Sequence, residues 1–264
     1  MSAVLGIDAA WTAMHPSGVA LAVERNGHWH LAALTASYAE FLAIGGTSSV
    51  VEPAPANGIP CARDLLGTAE AIAGLPIDLV GIDMPLARTA VRSRRVADDA
   101  VSRSYGGRKC STHSPTANRP GTFSDEFRTA FEQSGYVLCT DEITTPGLIE
   151  VYPHPALVEL SGAPERLPYK AGKTRTYWRD LPLPERRAKL LGMWEAIVAM
   201  LDKEIAGVVD ALPPLAPVAS VRALKGYEDR IDAVVCAWSA IEALAGRARP
   251  YGDADAAIWI PHRA

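Results

Sequence analysis

Two short apolar runs, LGIDAA at residues 5–10 and LVGIDM at residues 79–84, share the tripeptide Gly-Ile-Asp and so end in one carboxylate each, Asp8 and Asp83. A carboxylate inside a core is costly unless it is paired or bound to a metal. Either the two acids cap turns just past their strands, or they meet and act together. A second pair, Asp229 and Asp232, stands near the start of the helical run YEDRIDAVVCAWSAIEALAGRA. Three residues apart, the two side chains project to one side of a helix. The flank beyond them, Ala233, Val235, Cys236 and Ala240, is apolar. Acids at a helix start also suit the helix dipole, so this pair alone has a plain structural explanation.

A second tier of candidates surrounds the aspartates. Glu150 and His154 lie in IEVYPH, where the acid could join a site, orient His154 or pair with a cation. Arginines crowd residues 88–122, among them Arg92, Arg94, Arg95 and Arg108, with Lys109 beside them and only Asp98 and Asp99 to oppose them. Lys170 and Lys173 mark a later basic loop. Such segments either contact phosphates or form a solvated face with local ion pairs. Tyr105, Tyr169, Tyr177 and Trp178 either stack on bases or pack. Cys110 and His113 invite a thiol nucleophile, but no third residue stands at a recognisable spacing.

The elements that must hold these residues are legible in outline. Residues 3–9 read as a buried strand, and HPSG at 15–18 as a turn. GVALAVER and HWHLAALTA read as two strands joined at Asn26-Gly27, a strong hairpin signal. The chain thus opens with an antiparallel meander carrying Asp8. A short helix over 37–44, a loop over 45–60 and a helix in CARDLLGTAEAIAGL lead to a fourth strand in PIDLVGIDMPL. That strand is apolar on both faces, as a central one should be, and Pro85 ends it just after Asp83. DEFRTAFEQSGY is helical, GLIEVYPHPAL a fifth strand stopped by prolines, and residues 185–212 one or two amphipathic helices. After the last helix, AAIWI is a short strand or a packing segment.

The whole chain sets further bounds. It has 264 residues, 48% of them hydrophobic, with a formal charge of −4 and a mean hydropathy of +0.05. That describes a globule with a sizeable core. A globally basic nucleic-acid coat is excluded, so a polyanion would meet only a local patch. No run of 18 apolar residues suggests a membrane span, and the N-terminus reads as a strand rather than a signal peptide. Four scattered cysteines lack zinc spacing, which fits reduced thiols and a cytoplasmic location.

Taken in order, GIDAAW, VGIDMPLA, the arginine-rich segment, EVYPHPAL and DRIDAVVCAWSA resemble the DUF429 family, predicted nucleases of the ribonuclease H-like superfamily, over nearly the whole chain. The last helix is also similar to the Asp-x-x-Asp helix of RuvC-type resolvases. The resemblance implies one α/β domain over residues 1–264: a mixed five-stranded sheet with its first three strands antiparallel, flanked by helices. Basic helical or loop insertions would fall at about 88–135 and 163–215. The first and fourth strands would be central neighbours with the late helix beside them.

The same resemblance implies an activity. Clustered carboxylates raise one another's pKa unless a cation sits among them, and hard oxygen ligands select Mg²⁺ or Mn²⁺. Asp8 would bridge two ions, Asp83 hold one, and Asp232 with Asp229 the other. Such a pair of ions hydrolyses phosphodiesters. Nucleic acid is the implied partner, with Arg92, Arg94, Arg95, Arg108, Lys109, Lys170 and Lys173 on its backbone, and a homodimer is carried over from the RuvC-type likeness. Two other functions compete. One is an actin-like nucleotide phosphotransferase, which bulky Trp11 after Asp8 and the lack of a second domain oppose. The other is a binding protein that keeps the fold without catalysis.

Overall fold

The computed structural model describes residues 1–11, 15–45 and 61–262; most of the expected loop over 45–60 lies outside them. Strands β1 (Ala3–Asp8), β2 (Gly18–Arg25) and β3 (His28–Thr35) form the expected antiparallel meander. Asn26 and Gly27 both take positive φ between β2 and β3, as a two-residue hairpin turn requires. Helices α1 (Tyr38–Ile44) and α2 (Ala62–Ala73) lead to β4 (Leu79–Ile82), which returns parallel to β1. Helices α3 (Val96–Tyr105) and α4 (Thr122–Gln133) fill the arginine-rich region and its flank. Then come β5 (Val137–Leu138), β6 (Gly147–Val151) and α5 (Pro153–Ser161). The prolines that end β6 in the sequence also open α5, because proline suits the first turn of a helix.

Two short helices, α6 (Thr174–Tyr177) and α8 (Val208–Ala211), flank the 22-residue α7 (Leu183–Glu204). The long α9 (Val221–Leu244) precedes a terminal hairpin of β7 (Ala248–Gly252) and β8 (Ala257–Pro261). The sheet is mixed and has eight strands in the order β3-β2-β1-β4-β6-β8-β7, with β5 also paired to β6. The sequence predicts five. Of the other three, β5 is only two residues long, and β7 contains Pro250 and Gly252, residues tolerated at an edge. AAIWI proves to be a strand, β8, which joins β7 to the parallel core through β6.

Strand alternation assigns the two faces. Ala3, Leu5 and Ile7 of β1 and Val80 and Ile82 of β4 pack on the side of α1, α2 and α4. Val4 and Leu79 pack on the other side, against α5, α7 and α9. By the period of two, Gly6, Asp8, Gly81 and Asp83 share that second face. A smaller cluster of Val91, Val101, Tyr105 and Ile258 ties α3 to the terminal hairpin. Among the described residues no helix is long and apolar enough to cross a membrane.

Candidate active site

The repeated Gly-Ile-Asp has a geometric cause. Gly6 and Gly81 are register partners on neighbouring parallel strands, and α9 lies directly over both. A Cβ on Gly6 would fall 2.3 Å from the carbonyl oxygen of Ala233; one on Gly81 would fall 2.8 Å from that of Cys236. The glycines let a face of Ala233, Cys236, Ala237 and Ala240 settle onto the sheet. Two residues on, and on the same face, stand Asp8 and Asp83. The backbone N–H of Asp83 donates to the carbonyl of Ile7 at 2.9 Å, so the ladder continues past β4 and sets the acids side by side.

The sequence places Asp229 and Asp232 near a helix start, and the structure corrects this. Ser220 caps α9, its hydroxyl accepting from the N–H of Ala223, so the helix begins earlier and both acids lie well inside it. Dipole compensation therefore does not explain them. Both are buried, as is Glu228. Lysines meet them. Lys170 bonds Asp232 and lies 3.5 Å from Glu228; Lys225 bonds Asp229 and lies 3.3 Å from Glu228. The Tyr169 hydroxyl donates to the other Asp232 oxygen at 2.7 Å, and the N–H of Ala171 donates to Glu228 at 2.6 Å.

Asp8 and Asp83 differ from these acids. Among the described residues neither carboxylate has a hydrogen bond or ion pair, and both line the cleft. Burial pushes Asp8 well above the ordinary carboxylate range, with the charges of Asp232, Asp229 and Asp83 adding to it against Lys170. Burial, with the charge of Asp232, pushes Asp83 up to about 7. Burial alone would depress Lys170, but Asp232, Tyr169, Glu228 and Asp8 outweigh it and hold the ammonium charged. Five carboxylates thus share one centre with two lysines, and the charge left uncompensated sits on the two strand-end acids.

The remaining sequence candidates divide sharply. Glu150 is buried, lines the same cleft and adds its charge to those that raise Asp83, but its own oxygens are taken within the protein. It is gripped by Arg95 at 2.5 and 2.8 Å and by the N–H of Leu86 at 2.7 Å. Arg95 also binds Asp98, and Arg94 binds Asp99, so these two arginines form ion pairs within the protein. Arg108 pairs with Glu159 and Lys109 with Glu165. Arg92 is exposed. Of the seven basic candidates only Lys170 and Lys173 line the cleft. Cys110 is fully buried and its thiol is pushed up to about 11 by burial, which fits packing rather than nucleophilic attack.

The cleft encloses about 740 Å³, within the range of small-molecule sites. Its lining adds residues that the sequence does not single out: Lys225, Glu228, Arg119 and Arg166. The signal for the first two was present, since Lys225 stands four residues before Asp229 on a helix. Arg119 belongs to the arginine-rich segment without being set apart within it, and no local signal marks Arg166. His154 lines the cleft with its ring edge-on between Tyr152 and Tyr169, centroids 5.4 and 5.3 Å away, and its buried Nδ1 has no partner.

The donor set accommodates one hard divalent cation better than two. Mg²⁺ is commonly held through one or two carboxylates, with water and substrate phosphate completing its shell, and Asp8 and Asp83 supply such a pair. Among the described residues no three acidic, imidazole or thiol side chains converge as a ready cage. Both Asp232 oxygens are engaged, by Tyr169 and Lys170, and Lys225 engages Oδ1 of Asp229, which leaves the buried Oδ2 of Asp229 as the one oxygen of the pair without a partner among the described residues.

Comparison with curated proteins and with solved structures gives no match. A family model described as "Protein of unknown function (DUF429)" matches residues 6–256, a span that begins at Gly6 and takes in the whole acid centre, and the chain belongs to the DUF429 family.

Proposed function

We propose that the protein is a divalent-metal-dependent phosphodiesterase or nuclease of ribonuclease H-like architecture. The observation that carries this is the free carboxylate pair: Asp8 and Asp83, side by side at the ends of adjacent parallel strands, opposite the acids of α9 and open to a cleft. The neighbourhood of β1 and β4, with α9 packed across both, supports the fold assignment. Mutual repulsion among buried carboxylates is relieved when a cation enters, so the centre is built to hold one.

A bound Mg²⁺ or Mn²⁺ would polarise a phosphoryl oxygen and make water a better nucleophile at neutral pH. Asp8 and Asp83 would hold that ion. Lys170, fixed by Asp232 and Glu228, would take the part that the two-ion scheme gives to a second cation and stabilise charge that develops on a phosphate oxygen. Tyr169 and Asp232 position Lys170 from within the core, so they act through it.

The test is metal-dependent cleavage. Purified wild type and Asp8→Asn are incubated with Mg²⁺ or Mn²⁺ and with labelled mononucleotide esters and single-stranded, duplex, hybrid and branched substrates. Cleavage by the wild type, reduced at least about 10²-fold in the variant, is expected. Equal cleavage by both proteins, or none of any substrate, would remove the proposal.

A further inference from the structure

The cleft that holds the carboxylates also carries side chains of the opposite charge. Arg119, Arg166 and Lys173 line it together with His113 and His154. Among the described residues none of the three cations has an ion pair, although Arg94, Arg95, Arg108 and Lys109 nearby all have one. Arg166 is only partly exposed, and its Nε is buried without a partner. Leaving such a donor unsatisfied costs free energy unless a ligand completes it. His154, 7% exposed, adds an unpaired Nδ1. It sits in the first turn of α5, whose positive end opens on the same cleft. The field of the cations reaches both imidazoles. Burial and the charges of Lys173, Arg166 and Arg119 lower His113, while burial with Lys170, Arg166 and Lys173 holds His154 well below the ordinary range. Both rings are therefore neutral near pH 7 and able to donate one hydrogen bond each.

We infer that Arg119, Arg166 and Lys173, with His154, form an anion subsite that grips a non-reacting phosphate of a compact substrate about the size of a mononucleotide. The assignment of the reaction rests on the phosphodiesterase proposal above; the binding itself does not. Size favours a compact substrate, because the cleft is of small-molecule volume while Arg94, Arg95, Arg108 and Lys109 of the arginine-rich segment are already paired with carboxylates. Charge supports it too. A phosphate held by these cations leaves a second, reacting phosphoryl group within the cleft that Asp8, Asp83 and Lys170 also line.

Calorimetry with inorganic phosphate and with a nucleoside 5′-monophosphate separates the two ideas. Wild type is expected to bind both. Arg166→Gln combined with Lys173→Gln is expected to weaken each by at least about tenfold, and Arg119→Gln alone to weaken them in the same direction. Circular dichroism confirms that the variants are folded. Asp8→Asn should bind the monophosphate at least as tightly as wild type, since it removes a repelling charge, while it abolishes cleavage. Unchanged phosphate binding in both basic-residue variants, or no phosphate binding by wild type, would overturn the subsite. So would binding confined to long duplexes. Intact phosphate binding with no metal-dependent cleavage would preserve the subsite and overturn only the reaction.

Discussion

At the residue scale, the sign of a charge says little until its partner is known. Arg95 sits in the arginine-rich segment that the sequence offers as a phosphate-binding face. In the structure it is locked between Asp98, three residues away, and Glu150, 55 residues away. The first partner is visible as a local pair; the second depends on β6 lying beside β4. The four aspartates are more legible, because an acid that ends an apolar run demands an explanation whatever surrounds it. Removing one member of a buried ion pair leaves an uncompensated charge. Arg95→Ala should therefore destabilise the protein by about 3–5 kcal/mol, read as a lower midpoint in chemical denaturation. Arg92→Ala, at an exposed position in the same segment, should change stability by less than about 0.5 kcal/mol. Equal effects would mean that Arg95 is not the structural anchor described above.

At the scale of elements, the close approach of α9 to the sheet positions the site. The Gly-Ile-Asp repeat shows that two strands share a design, and the alternation of side chains puts Gly and Asp on one face. What the sequence does not show is that the glycines clear a helix more than 200 residues downstream of the first. Nor does it show that α9 starts at Ser220, since Val221–Gly226 carries no apolar periodicity as clear as the part that follows. Gly6→Ala would drive a methyl into the backbone of Ala233 and Ala237. A loss of about 3 kcal/mol is expected, at the upper end of ordinary overpacking, together with weaker cation binding because Asp8, two residues along the same strand, is displaced with it. Gly67→Ala, in the middle of α2 with open space around it, should instead stabilise by about 0.5–1 kcal/mol. Denaturation curves of the two variants should shift in opposite directions.

At the scale of the whole molecule, the meander, the central strand and the last helix follow from hydrophobic pattern and turn chemistry, which act over short spans. The terminal hairpin and the two-residue β5 do not, because short edge strands with Pro or Gly carry weak local signals. The cleft is the least legible feature. It is assembled from the ends of β1, β4 and β6, from α9 and from the loops around residues 112–119 and 166–173, and only the fold brings these acidic and basic side chains to one cleft. With a formal charge of −4 overall, neither group is announced by composition.

The central claim is that Asp8 and Asp83 together hold a divalent cation, and the most direct measurement is Mn²⁺ binding by calorimetry to the metal-free protein. Wild type should take up one Mn²⁺ per chain with saturable affinity. Asp8→Asn and Asp83→Asn should each weaken that affinity at least about tenfold, a loss of roughly 1.4 kcal/mol or more. No saturable Mn²⁺ binding by wild type, or undiminished binding by both variants, would contradict it.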